Sequence, residues 1–529
     1  MPRLKELQRK SSKIAPFNGK VLDGLFIEES NTNASEPSNC NLPTSRLLVT
    51  CSMVALVGGF HFGFQLSITN PLAITLSDFI VHSLEKRYAI TLSHLVMSTL
   101  WAGVVGVLFV GAMIGASFVP KLIGCYGCRT SVVITSVLMM VGIAISLISW
   151  GTDIAECFVI SRLLIGISIG MGMTVQGVLI TELSPDEHRG FMGMLTGLFV
   201  NAGVVIGSIL GLPHVFGASD LWPLSYIVEA LPCLAVLIFA SVILEESPIY
   251  HLRHCHDEKA RLSLLLYHGI RQNTDLIIKN MKAELESSTE DDGLMELLRE
   301  KSVRWALLFG CLINLTVSFS GITSVSFFGT FILTSVGFSE NSAALANSLS
   351  TLSGTAGAIL GSVIIDKIGR RPMLIGSTFA LALLNAAMML LAFAYLNSRL
   401  SELAYIFLAL FNIFQFTFAT ALGPVAWFIG AELSGPLYRS RVTSVAISTQ
   451  YLTCFLAPII HSPLNQLVGP FSSLLFIVPL LSTCLIVYLL LPETRNKSVE
   501  EIEHLLSVGR KVHSNAKATA DAVNSSVQS

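Results

Sequence analysis

Apolar runs of about 20 residues alternate with short polar breaks along most of this chain. They fall near 46–69, 96–119, 131–150, 157–181, 191–213 and 222–244, then near 303–325, 342–365, 372–396, 402–431, 442–463 and 470–491. A hydrocarbon core ~30 Å thick takes about 20 residues of helix to cross. Each run therefore predicts one crossing helix, twelve in all, and the polar stretch 250–302 divides them six and six. The pattern predicts an all-α membrane protein of two six-helix halves, 46–249 and 303–494. A tail at 1–45, the linker 250–302 and a tail at 495–529 complete the expected organisation. Glycine clusters at 58–63 and 166–177 would let helices approach closely inside the bilayer.

Composition agrees with this pattern. Of 529 residues, 52% are hydrophobic and 13% charged, against roughly 25% charged in soluble domains. The net charge of −2 sets up no field that would draw nucleic acid. Most of the ten cysteines lie inside apolar runs, where they act as small hydrophobes rather than a disulfide framework. The first apolar run starts too late and is too long for a signal-peptide core.

Basic residues gather on one set of connections. Lys121, Arg129, Arg189, Lys367, Arg370, Arg371, Arg439 and Arg441 lie between even and odd helices, whereas the opposite set holds Lys86, Arg87 and Arg399. The positive-inside rule then puts both termini and the linker in the cytoplasm. Within the linker, 256–267 and 293–300 have the spacing of short surface helices, with a solvated linker as the alternative. No acceptor Asn falls in the first external loop, 71–95, and the sequons at Asn33, Asn314, Asn496 and Asn524 fall in cytosolic or helical positions, so no external glycan is expected.

The two halves repeat. Glu182-Leu183-Ser184 is followed by Arg189, and Glu432-Leu433-Ser434 by Arg439 at the same interval. Lys121–Arg129 after the second run matches Asp366–Arg371 after the eighth, and Glu246 matches Glu493. The offset is about 245 residues. A repeat of six helices is the signature of a rocking secondary transporter with a solute site at its midplane. The candidate gate at the basic helix ends is Arg129, Glu182, Arg189, Glu246, Asp366, Arg370, Arg371, Glu432, Arg439 and Glu493. Pairs that form in one conformation and break in the other would bias alternating access by about 1–3 kcal/mol. The alternative is orienting charge plus surface pairs worth ~0–1 kcal/mol.

These residues carry a resemblance. Together with Phe62-Gly63-Phe64, Arg162, Leu221-Trp222-Pro223, Ser320-Gly321-Ile322, Gly423-Pro424, Trp427-Phe428 and Pro492-Glu493-Thr494, the pattern over about 46–505 resembles the facilitative glucose/fructose transporters of the major facilitator superfamily. Gln176 in the fourth run and Gly197-Leu198-Phe199 in the fifth look most like the fructose- and urate-handling class. The resemblance implies a central site drawn from Gln65, Gln176, Gly197, Ser318, Thr323, Phe328, Trp427, Gln450 and Tyr451. Amides usual in the family are replaced here by Gly197, Val317, Ser318, Thr323 and Gly354, its usual Glu by Ala419 and its usual Trp by Tyr451. The pocket is thus poorer in amides than a typical glucose site. For Asn201, Asn314 and Gln415, hydrogen bonding between helices is the favoured reading.

The proton-coupled relatives carry an Asp where this chain has Gln65, which cannot titrate. His61, Arg162 and Glu229 are the ionisable groups left inside the predicted helices, and Glu229 is the candidate proton carrier. No nucleotide-binding loop occurs, because the Gly-rich stretch 165–172 lacks a Gly-Lys-Ser/Thr ending. The pair Cys125 and Cys128 has no second Cys or His pair to complete a metal site. The expected protein is therefore a plasma-membrane carrier, not an enzyme, with no cofactor. Its expected activity is facilitated diffusion of a hexose. A carrier for urate or a polyol, a proton-coupled sugar symporter, and a solute sensor remain as alternatives.

Overall fold

The computed structural model describes residues 43–89, 94–212, 214–268, 274–286, 300–398, 400–495, 497 and 499–508. The linker expectation at 293–300 falls almost wholly outside them, as does most of each tail.

Among the described residues, ten stretches are long and apolar enough to cross a membrane. Two of these, 50 and 52 residues long, are each long enough to cross twice. Gly127, at φ 82, turns the chain within the first, and Gly469, at φ 60, within the second. Only glycine enters that region without steric cost. Among the described residues this gives twelve helical segments long enough to cross, in the all-α arrangement expected.

The first half contains α1 (Ser45–Ile68), α2 (Ala73–Tyr88), α3 (94–126), α4 (128–152), α5 (Ala155–Leu183), α6 (Arg189–Leu210) and α7 (Trp222–Val242). Then come α8 (Pro248–Arg253), α9 (Asp257–His268) and α10 (Thr274–Glu286) in the linker. The second half contains α11 (Lys301–Ser318), α12 (Ile322–Ser335), α13 (Glu340–Ile368), α14 (Arg370–Ser398), α15 (Ser401–Thr420), α16 (Leu422–Glu432), α17 (Arg439–Val468) and α18 (Leu474–Leu490). A last helix, α19, covers Val499–Val508.

Four local features depart from the expected pattern. The loop 71–95 holds α2, whose Leu76 and Ile80 are buried four residues apart. It is an amphipathic helix too polar to stand out as a span. The seventh span is not one helix over 303–325. It breaks before Gly321, at φ 98, and continues as α12 to Ser335. Asn385 Nδ2 donates to the Ser320 carbonyl freed by this break, at 3.1 Å. The tenth span breaks at Ala421, at φ −144 and ψ −65, just before Pro424, which has no N–H to donate. Finally, α19 is not featureless tail. Its Ile502 and Leu506 are buried, and Glu503 Oε1 accepts the Gly435 N–H at 3.1 Å.

Small residues set the helix spacing in the first half. A Cβ on Gly170 would run into the Ala112 carbonyl, and one on Gly166 into that of Leu108. Without a hydrophobic drive inside lipid, such close backbone contact is a main source of helix association.

Candidate functional site

The repeat seen in sequence is a repeat of hydrogen bonds. Glu246 Oε1 accepts from the N–H groups of Cys128, at 2.7 Å, and Arg129, at 3.1 Å. Glu493 accepts from Arg370, at 3.0 Å, and Arg371, at 3.1 Å. In each half the carboxylate caps the helix that follows a left-handed glycine, Gly127 or Gly369. Arg129 Nη2 donates to the Ser241 carbonyl and Arg371 Nη2 to that of Tyr488, both at 2.6 Å. Burial raises the Glu246 carboxyl above its ordinary range, while N–H groups of Ser247, Arg129 and Cys128 pull the other way.

The repeat is broken at one position. Arg370 is 1% exposed and holds Glu432 Oε1 and Asp366 Oδ1, each at 3.0 Å. In the first half Cys128 stands in its place, with Sγ 4.0 Å from Glu182. Arg189 pairs with Asp186, close by in its own loop. Arg439 Nε donates to the Ala431 carbonyl at 3.1 Å.

Most contacts of these candidate gate residues therefore tie helices within a half. Asp366 reaches across. Its Oδ2 accepts the Phe191 N–H at 2.8 Å, at the start of α6 in the other half. That is a favourable place for a carboxylate, because the first N–H groups of a helix lack partners. Gly190 permits the approach, since a Cβ there would lie 2.6 Å from Arg370 Nη2. Arg253 Nη2 adds a bond to the Pro436 carbonyl at 3.0 Å. The opposite face is closed too. Asn70 Nδ2 donates to the Ser326 carbonyl at 3.3 Å, and Phe109 meets Phe327 edge-on at 5.8 Å. Contacts between the halves thus close both ends.

Between the seals lie three rings. Phe62 sits 5.2 Å from Trp427 and 5.8 Å from Tyr451, each edge-on. Beside them, Gln450 Oε1, Tyr451 Oη and Asn314 Oδ1 are buried without a protein partner. Asn314 Nδ2 is used on the Gly310 and Ala426 carbonyls. Ser318 Oγ donates to the Gln450 carbonyl at 3.2 Å, and Thr323 Oγ1 to the Ser318 carbonyl at 2.9 Å. The structure thus brings Ser318, Thr323, Trp427, Gln450 and Tyr451 together.

Gln176 and Gly197 have contacts outside this group. Gln176 Oε1 accepts from Gly58 and Gly59, at 3.0 and 3.1 Å. Those N–H groups are released by a wider π turn over Leu56–Phe60. Gly197 lies against Pro424. One turn further on, Asn201 points its Oδ1 at Gly354 of the other half, 3.0 Å from where a Cβ would be. Phe328 is within α12, and its side chain lies outside the described residues.

Gln65 belongs to a separate network. Arg162 Nη1 donates to Gln65 Oε1 at 2.5 Å, and Gln65 Nε2 to Glu229 Oε2 at 2.6 Å. His61 Nδ1 lies 3.3 Å from Glu229 Oε1. All four residues are buried. Among the described residues, no cluster of three His, Cys, Asp or Glu side chains could hold a metal ion.

The family model described as "Sugar (and other) transporter" matches residues 51–506. The chain is 26% identical over 466 residues to the facilitated glucose transporter member 3 of solute carrier family 2 from Ovis aries, covering 86% of this chain and 92% of that one. It is 25% identical over 473 residues to member 14 from Homo sapiens, covering 87% and 88%. Among solved structures, the proton:xylose symporter XylE bound to 6-bromo-6-deoxy-D-glucose superposes with TM-score 0.75 at 20% identity, over 88% of this chain and 100% of that one. The inward-open conformation of XylE from E. coli gives 0.62 at 20% identity, over 87% and 99%. With the family model spanning most of its length, the chain belongs to the sugar (and other) transporter family.

Proposed function

We propose that this transporter carries a hexose by facilitated diffusion, and that the Phe62, Trp427 and Tyr451 rings with Gln450 and Asn314 form its solute site. The observation behind this reading is three buried polar atoms without protein partners: one on a ring of the cluster, one on the residue before it, and one on Asn314, whose amide reaches the carbonyl preceding Trp427. A buried polar atom left unpaired costs about 1–3 kcal/mol. Sugar hydroxyls donate to such acceptors, and the apolar face of a sugar ring packs on aromatic faces. The glucose transporters among its relatives support glucose as one substrate. Fructose rests on Gln176 and Gly197-Leu198-Phe199 alone, and urate or a polyol is the alternative that the amide-poor pocket favours. The excess of basic residues at the Asp366 end orients that end, both termini and the linker 250–302 to the cytoplasm, in a plasma-membrane protein.

The test is uptake into liposomes of labelled glucose, fructose, galactose and urate, with and without a pH gradient. Saturable hexose uptake that the gradient does not accelerate is the expected result, and no hexose uptake under any condition would sink the reading. Trp427→Ala should then weaken hexose binding about tenfold, equal to about 1.4 kcal/mol, as read by equilibrium binding of labelled sugar. Unchanged binding would move the site elsewhere.

One observation favours a second reading, proton symport. Glu229 is fully buried within hydrogen-bonding distance of His61 and Gln65, and buried ionisable groups in membranes commonly relay protons. If it holds, an inward-directed pH gradient drives native uptake and Glu229→Gln abolishes that drive. Uptake by Glu229→Gln that matches the native protein at every pH rules symport out.

A further inference from the structure

The broken seventh span leaves a space behind it. From Gly321, α12 leans on the first half through Ser326 and Phe327. On its other side a cavity of about 240 Å³ opens among α12, α14, α15, α17, α18 and the connector at 469–473. Neither Trp427, Gln450 nor Tyr451 lines it, so it is distinct from the solute site.

Its lining is amphipathic. At one end His461 bridges Ser324 and Ser472, at 3.3 Å to each, and Ser472 donates to Asn465 Oδ1 at 3.1 Å. Phe411, Phe476 and Met388 line the rest. Among the described residues, no Asp, Glu, Lys or Arg lines the cavity. Binding pockets combine apolar walls with a few placed polar groups in this way. The volume suits a single ring, and the lack of charge suits a neutral one.

We propose that this cavity binds a neutral monocyclic alcohol or phenol, hydroxyl toward the Ser324 and Ser472 hydroxyls that flank His461, and that occupancy holds α12 against the first half. The space lies behind α12 while α12 seals the face opposite Asp366. Swinging α12 away from Asn70 and Phe109 to open that face would drive it into the cavity. A ligand there binds the sealed state better than the open one, and shifts the population by that difference in affinity. The gating part rests on the alternating-access reading above, whereas the binding part does not.

The probe is tritiated 4-propylphenol, with 4-propylbenzoate as its charged counterpart, and the protein is the full chain in lipid nanodiscs. Ala392→Phe fills the cavity from α14, and Ser335→Phe fills it from α12 should the first variant fail to fold. Saturable phenol binding is expected, at least tenfold weaker in the filled variant and for the benzoate. In liposomes the phenol should lower the maximal rate of hexose uptake and leave KM unchanged. Phenol binding that the filled variants retain, or inhibition that excess hexose relieves, overturns the proposal. Binding is read without hexose, so a failure of the hexose reading is seen separately.

Discussion

Arg370→Ala is expected to stop uptake and to lower the thermal stability of the purified protein sharply. The guanidinium is the counter-ion of Glu432, which is 1% exposed, and of Asp366. Removing one partner of a buried pair leaves a desolvated charge and costs about 3–5 kcal/mol. It also frees the Asp366 carboxylate that caps α6 across the halves. The double variant Arg370→Met with Glu432→Met removes both charges. It should regain most of the stability, because apolar replacements of a buried pair are often neutral. It should not regain uptake if the pair serves the conformational cycle. Cys128 occupies the equivalent position in the first half and carries no charge there, so Cys128→Ala should cost only about 1 kcal/mol. Melting curves of the variants check this ordering. Equal losses at Cys128 and Arg370 would mean that the charge is not what matters.

That contrast was legible in sequence, because the motif after the second run lacks the arginine that the eighth keeps. The spans were legible for a similar reason. Apolar runs of about 20 residues dominate the pattern, and few other structures satisfy their backbone groups in lipid. The breaks at Gly321 and Ala421 were not, since no charged residue interrupts either run. What each polar side chain faces was harder still. Gln176 was read toward the solute, yet it serves the Gly58 and Gly59 N–H groups released by a π turn. That turn leaves no mark in residue spacing. The resemblance drew attention to Gly197, whereas Asn201, one turn on, is the polar residue pointing into the other half. The reach of Asp366 to a backbone N–H was equally hidden, because an N–H has no sequence identity.

The buried network in the first half shows the same limit and gives the second large effect. Its members lie on α1, α5 and α7, and up to 168 residues separate a bonded pair, a distance over which one sequence carries no pairing signal. Gln65 fixes its sense. Its oxygen faces Arg162 and its nitrogen faces Glu229, so one amide joins a cation to an anion through two hydrogen bonds, each with one charged partner. Such bonds are worth about 1.5–3 kcal/mol. Arg162→Leu removes the cation and leaves Glu229, at 0% exposure, within a membrane helix. The expected loss is again about 3–5 kcal/mol, seen as a large drop in melting temperature and in yield of folded protein. Adding Glu229→Gln to Arg162→Leu should restore stability, because the amide needs no counter-charge and still accepts from Gln65. The coupling between the two substitutions should then fall at or above the upper end of 0.5–3 kcal/mol, the usual range for residues sharing a network. If the losses simply add, Arg162 and Glu229 act independently and Gln65 is not a bridge between them.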